Sequence, residues 1–159
     1  MLASSSRVAP DHLAYRWLVS ESLTWRVVGA RLERELGEPV WGLRLPPADY
    51  ANNDLNLSNV LTDGSRITGV VDWDEFGLGS RALDLVVLAF DCERIGSQQA
   101  ADHLLARAAS IIGSDALRCM VSYRALAVLA DPSEGQDPSA DTMAVVISAI
   151  LDRLEENQG

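Results

Sequence analysis

Hydrophobic positions along this chain recur at two different periods, and the change of period divides it. Between residues 11 and 37, Leu13, Trp17, Val28, Leu32 and Leu36 fall near a 3.6-residue repeat, with Arg31, Glu33, Arg34 and Glu35 on the polar side. The spacing predicts one long helix, or two broken near residues 20–22, capped by Asp11 and ended by Gly37 and Pro39. Trp17 and Trp25 then read as core residues. Pro46 and Pro47 forbid helix in the connector 39–50 and favour an extended approach to the segment after it. There the helical period gives way to short β-type runs. Residues 59–62 read as one strand, Asp63-Gly64 as a type I′ turn and residues 66–72 as the returning strand. Residues 73–80 read as a glycine-bearing loop.

From Ser80 the helical period returns. A helix to about Arg94 carries Leu83, Val86, Val87, Leu88 and Phe90 on nearly all sides, so it should be buried. Ser97 is placed to cap the next helix, in which Leu104, Ala108, Ile111 and Ile112 share a face, and Gly113 stops it. Ser114 caps another, running through Leu117, Met120, Val121, Tyr123 and Leu126 to about Ala130. After a polar loop at 131–141, Met143, Val146, Ile147, Ile150, Leu151 and Leu154 mark a last helix whose end from Glu155 should fray. The expected fold is a single domain over 1–159: mainly helical, α+β, a small β-hairpin mounted on a helical body.

Composition narrows the classes of partner. A length of 159 residues supports one domain with a real core, and no apolar run approaches the roughly 18 residues of a membrane span. The first ten residues lack the basic-then-apolar plan of a signal peptide. A net charge of −10 argues against a nucleic-acid or anionic-membrane partner and suits a cationic small molecule. Cys92 and Cys119 lie in predicted helices without metal-ligand spacing, which reads as buried thiols in a reducing, cytoplasmic setting. His12 and His103 have no evident partner and read as surface or core. All 13 basic residues are Arg, so no chemical step that needs a Lys ammonium comes from this chain.

The hairpin concentrates the candidate chemistry. Asn59 begins one arm and Asp72 ends the other, so an antiparallel pairing puts both at the same end. Asp54 sits in the loop just before the first arm. A carboxylate that takes a proton from a hydroxyl, with an amide and a second carboxylate that hold Mg²⁺ against phosphate oxygens, is what metal-assisted phosphoryl transfer needs. Read singly, Asp54 and Asn59 also suit Asx-type turns, and Asp72 suits a strand end that satisfies loop amides. Asp74 and Glu75 read as solvated loop charges. A carboxylate at Asp84, near a helix start, reads as meeting the free N–H groups there. Gly77-Leu78-Gly79-Ser80-Arg81-Ala82 has the spacing of a dinucleotide fingerprint but neither directly follows a predicted strand nor leads to a second βα unit. Asp72-Trp73-Asp74 resembles the aspartate pair of haloacid dehalogenase-like phosphatases, but Glu75-Phe76 stands where small residues belong.

Three motifs in order carry a stronger resemblance: Asp54-Leu55-Asn56-Leu57-Ser58-Asn59, then Val70-Val71-Asp72-Trp73-Asp74, then Gly79-Ser80-Arg81-Ala82-Leu83-Asp84-Leu85. Together they resemble the catalytic segment of the aminoglycoside phosphotransferase and choline kinase-like family, clearest over residues 49–93. The resemblance implies a protein-kinase-like C-terminal lobe, with ATP as donor, Mg²⁺ as cofactor and a small hydroxyl-bearing acceptor, for which the acidic charge suits a cation. It also implies Asp54 as the base, Asn59 and Asp72 as the metal-binding pair, and Asp84 as the residue that fastens the helix start to the loop. The family's loop usually has His two residues before the Asp; here Asn52 stands there, and a less firmly held loop is expected. Only about 50 residues precede Asp54, which leaves no room for a nucleotide-binding N-terminal lobe. The expectation is a C-terminal lobe alone: either a catalytic piece working with a separate lobe, or an inactive remnant that binds a ligand or partner. The surface bared in this way is expected to favour self-association.

Overall fold

The computed structural model describes residues 27, 28, 30–32, 34, 49–130 and 140–156. It is mainly helical, with two small antiparallel sheets. Strand β1 is Asp49–Ala51; a 3₁₀ turn, Leu57–Asn59, leads into β2, Val60–Thr62; β3 is Ile67–Val70 and β4 is Gly77–Gly79. Four long helices follow: α1, Arg81–Arg94; α2, Gln98–Ile112; α3, Ser114–Ala130; and α4, Ala140–Glu156.

Helix α1 is the hub, touching the other three helices, β1 and the 3₁₀ turn. Its sequence explains why. The N-cap Ser80 accepts a hydrogen bond from the Ala82 N–H, and beyond it Ala82, Val86, Val87, Ala89 and Phe90 are buried on several sides. Each large apolar side chain removed from water in this way contributes on the order of 1.5–3 kcal/mol. Leu105 and Ala108 of α2, Leu117 and Val121 of α3, and Ile147 and Ile150 of α4 complete one continuous core. Residues 27, 28, 30–32 and 34 are helical, as the periodicity predicts, with Val28 and Leu32 buried in that core. Arg31 is not simply solvated, because it pairs with Asp152 at 2.6 Å and Glu155 at 3.0 Å and so ties this segment to α4. Arg153 similarly joins α4 to Glu93 on α1 and to Asp102 on α2.

Several expectations need correction. Gly113, with φ of 84°, does end α2, but the Ser97 side chain makes no capping bond; its carbonyl accepts from Ala100 and Ala101 instead. Tyr123 is 65% exposed and stands outside the core, facing away from the Leu117 and Val121 side of α3. Residues 73–80 are not all loop. Gly77–Gly79 is a strand that pairs antiparallel with Asp49–Ala51, Tyr50 lying opposite Leu78. The dinucleotide-like glycines are therefore part of a sheet edge. Gly79 must be small, since a Cβ there would stand 2.2 Å from Asn53 Oδ1. The expected caps at Asp11 and Gly37, the cores at Trp17 and Trp25, His12 and the polar loop at 131–139 fall outside the described residues.

The β2–β3 hairpin forms, but its turn is longer than the two residues expected. Val60 pairs with Val70 and Leu61 with Gly69, after which a bulge brings Thr62 opposite Ile67. A type I′ turn needs φ > 0 at both central residues. Gly64 has it, at 90°, and Asp63 does not. The Asp63 carboxylate instead accepts from the Ser65 N–H, the Ser65 hydroxyl and the Arg66 N–H, closing a four-residue loop. The Ser65 hydroxyl and amide, followed by Arg66, lower its pKa from 3.8 to about 2. A pKa lowered by folding means that this contribution is complete above about pH 4 and disappears as pH falls through 2. In a proton NMR titration the Ser65 and Arg66 amide shifts should therefore move together with a midpoint near 2, and a midpoint near 4 would show the carboxylate is not held.

Candidate functional site

The candidate residues occupy two loops, 52–59 and 71–76, which hydrogen-bond to each other, the first of them also to α1. The first begins where β1 ends. The N–H groups of Asn52 and Asn53 donate to the two carboxylate oxygens of Asp84, at 2.9 and 2.8 Å. Asp84 is 9% exposed and lies in the first turn of α1. Its carboxylate thus turns to the loop, which corrects the reading from helix position alone. It fastens the loop to the helix, as the family resemblance implies.

Asn52 is buried and joins both loops. Its Oδ1 accepts from the Asp54 N–H at 3.1 Å, while its Nδ2 donates to the Asp72 carbonyl at 2.8 Å. The loop is therefore held firmly with Asn in this place, contrary to the expectation drawn from the missing His. A neutral carboxamide carries an acceptor and a donor on one planar group, so it can satisfy one backbone group on each side.

Asn59 closes the first loop. It is the last residue of the 3₁₀ turn rather than the first of the strand, and it is buried. Its Nδ2 donates to the Asp54 carbonyl at 3.3 Å, and its own carbonyl accepts from the Val71 N–H at 2.9 Å. Asp54, Asn59 and Asp72 are accordingly drawn together by three bridges: Asn52 between Asp54 and Asp72, the Asn59 amide to Asp54, and the Asn59 carbonyl to the residue before Asp72. Asp54 and Asp72 are exposed, and among the described residues neither carboxylate has a hydrogen-bond or ion-pair partner.

Both loops contain a residue in the left-handed region, Asn53 at φ 69° and Asp72 at φ 60°. Asn and Asp enter this region more readily than other side-chain-bearing residues, and such strain collects where a side chain must be aimed. At Asn53 the tertiary structure sustains it: the backbone N–H is on Asp84 and the Nδ2 donates to the Glu75 carbonyl at 2.9 Å. At Asp72 the turn redirects the chain directly after β3.

The donor chemistry fits a hard divalent cation. With the Asn59 nitrogen turned to Asp54, the amide oxygen is the atom left to meet a metal, and Asp72 adds an exposed carboxylate. Such oxygen donors suit Mg²⁺, which takes one or two protein carboxylates and completes its shell with water and phosphate. Among the described residues no group of three His, Cys, Asp or Glu side chains converges as a metal site. Cys92 takes no part; burial, with Asp91 nearby, pushes its thiol pKa up, and both cysteines are free. His103 is exposed on α2, far along the chain from the loops.

Beside the loops, the outer face of the β1–β4 pair is aromatic. Tyr50 stacks on Phe76 at 5.6 Å, and Trp73 meets Phe76 edge-on at 5.5 Å. Tyr50 and Leu78 are 71% and 70% exposed, so the water-facing side of this sheet is apolar where an antiparallel sheet usually turns polar. Asp74 and Glu75 are exposed at its margin, as expected of loop charges.

Sequence reasoning missed Asn52 as a bridge, Asn53 as a strained anchor, and Asp91 of α1, whose Oδ2 accepts from the Leu57 N–H at 2.7 Å. One signal could have found Asp91: it stands seven residues after Asp84, two turns along an otherwise apolar helix and on the same face.

No helix among the described residues is long and apolar enough to cross a membrane. Comparison with curated proteins and with solved structures returned no match. The sequence does match a family model, described as a phosphotransferase enzyme family (APH), over residues 13–120, which contain both loops and the whole of α1. The two linked loops, the carboxylate that fastens the first of them and this match over more than half of the chain agree, and the chain belongs to the APH phosphotransferase family.

Proposed function

We propose that this chain is a kinase-like C-terminal lobe that takes part in transfer of the γ-phosphoryl group of ATP to a hydroxyl of a small molecule. One observation carries the reading: a single buried side chain, Asn52, hydrogen-bonds the backbone of both Asp54 and Asp72. This side chain sets the loop carrying Asp54 at a fixed place beside the loop carrying Asp72, which supports a shared site. In this reading the exposed Asp54 carboxylate accepts the proton of the acceptor hydroxyl as the oxygen attacks phosphorus. Asn59 and Asp72 would hold Mg²⁺, which would supply positive charge to offset that of the phosphate oxygens. The bridges described above supply the positioning on which such transfer depends. The aromatic shelf of Tyr50, Trp73 and Phe76, rimmed by Asp74 and Glu75, suits an acceptor with an amine and an apolar or ring body. The setting proposed for the reaction is the cytoplasm.

A second reading is favoured by the composition. With no Lys in the chain, an ammonium cannot clamp the donor phosphates, and the protein then acts as a module that binds a ligand or partner without turnover. Calorimetric titration with Mg·ATP, followed by a phosphoryl-transfer assay on aminoglycosides and amino alcohols, separates the two. Catalysis requires saturable, Mg²⁺-dependent ATP binding and a phosphorylated product. Nucleotide binding without product supports the module, and no binding at millimolar ATP rejects independent catalysis.

A further inference from the structure

Asp91 has no part in the proposed reaction, yet its place in the fold calls for an explanation. It lies near the C-terminal end of α1, where the helix macrodipole disfavours a carboxylate. Its side chain is only 18% exposed. One oxygen, Oδ1, is 3.4 Å from the Arg94 guanidinium in an i,i+3 pair. The other, Oδ2, reaches across to the loop and accepts the Leu57 N–H at 2.7 Å, the shorter of its two bonds.

Leu57 opens the 3₁₀ turn that ends at Asn59. Its N–H is one of the groups a turn leaves without an internal partner. Within the turn, Asn56 Oδ1 accepts from the Ser58 N–H and the Asn59 N–H donates to the Asn56 carbonyl at 3.1 Å; at its far end Asn59 is tied to the Asp54 carbonyl and the Val71 N–H. These bonds shape the turn and join it to the neighbouring loop; its attachment to the helical body is the packing of the Leu57 side chain against the core and the hydrogen bond from the Leu57 N–H to Asp91. Seven residues along a helix amount to about 10.5 Å at 1.5 Å per residue, and the four residues from Asn53 to Leu57 can span at most about 14 Å when extended. Asp84 and Asp91, two turns apart, therefore hold both ends of a short loop with little slack, and Asp54 lies between the two points of attachment.

We infer that Asp91 is a positioning residue whose hydrogen bond to Leu57 fixes where Asn59 stands relative to Asp54; the inference rests on the phosphoryl-transfer reading of that site. It acts as an acceptor at a fixed distance. Its charge is not what matters, and Arg94 is not essential to it.

The test is Mn²⁺ binding to the full chain, followed by electron paramagnetic resonance, with hydrogen exchange at the Leu57 amide measured alongside. Asp91→Ala should weaken Mn²⁺ binding about tenfold, the usual scale for losing a group that orients a metal ligand. It should speed exchange at Leu57 without speeding it in the α2 and α4 cores. Asp91→Asn keeps an oxygen for Leu57 and should bind as the unaltered chain does. Asp91→Glu keeps the charge but moves the oxygens by one methylene, so it should bind more weakly, and it answers the question if the Ala variant does not fold. Arg94→Gln should leave affinity unchanged. The inference is overturned if the Ala and Glu variants bind like the unaltered chain, if the Asn variant is as weak as Ala, or if exchange rises throughout the protein. Failure of the unaltered chain to take up Mn²⁺ is a different result: it rejects the metal-site reading itself, and the inference with it.

Discussion

Replacing Asp54 by Asn is expected to lower phosphoryl transfer by about 10²- to 10⁴-fold, the range for loss of a positioned general base. At 1.36 kcal/mol per factor of ten this is roughly 3–5 kcal/mol of transition-state stabilisation. The substitution keeps the shape of the side chain and removes only its ability to take a proton. The carboxylate is exposed and has no partner among the described residues, so the fold loses nothing that it used. The melting temperature should stay within a degree or two, as for most surface substitutions. Rates measured at saturating Mg·ATP, with the acceptor identified from the panel, provide the check. A variant that retains more than about a tenth of the rate would exclude Asp54 as the base. Turnover that disappears in this variant would in turn exclude the reading of the chain as a module without activity.

Asp84→Asn should have the opposite signature, a loss of stability as well as of any activity. The carboxylate is nearly buried and accepts two backbone N–H groups, those of Asn52 and Asn53. An Asn can offer only one oxygen, and its NH₂ would face an N–H that also needs an acceptor. Hydrogen bonds to a charged group contribute about 1.5–3 kcal/mol each, and a buried donor left unpaired costs about 1–3 kcal/mol. A destabilisation of about 3–5 kcal/mol is expected, a large part of a typical total of roughly 5–15 kcal/mol. Thermal unfolding should shift by on the order of 10 °C. A melting temperature within about 2 °C of the unaltered chain would show that Asp84 does not hold the loop. The pair of variants is informative because Asp54 and Asp84 lie in adjoining elements and differ in setting: one carboxylate faces solvent and is the proposed base, the other faces backbone and holds the loop.

The helical body was legible because its core-facing positions repeat. Leu117 and Val121, or Ile147 and Ile150, lie three or four residues apart and are buried together. The β1–β4 pair was not legible. Three residues, two of them Gly on the β4 side, leave no alternation to detect, and the pairing is set by elements 26 or more residues apart in the chain. The turn at Asp63 was misjudged for a local reason, since the dipeptide Asp63-Gly64 suits a type I′ turn while the Asp63 side chain finds four donors in a wider loop. Tyr123 shows the limit of periodicity from the other side: an aromatic residue near an apolar stripe still reached solvent.

By itself the sequence determined which groups are present at the site. It supplied a carboxylate at Asp54, an amide at Asn59 and a carboxylate at Asp72, placed near one end of a hairpin, and it supplied the apolar helices beneath them. It also determined the family, through motifs whose order and spacing can be read along the chain. Only the tertiary structure decided how those groups are held. Asn52 and Asn53 find Asp84 across 32 and 31 residues, Leu57 finds Asp91 across 34, and Asn52 finds the Asp72 carbonyl across 20. The reason is physical. A loop's backbone N–H and C=O groups require partners once they are removed from water. Those partners are whichever acceptors and donors the packed helix brings alongside, and no local period in the sequence records them.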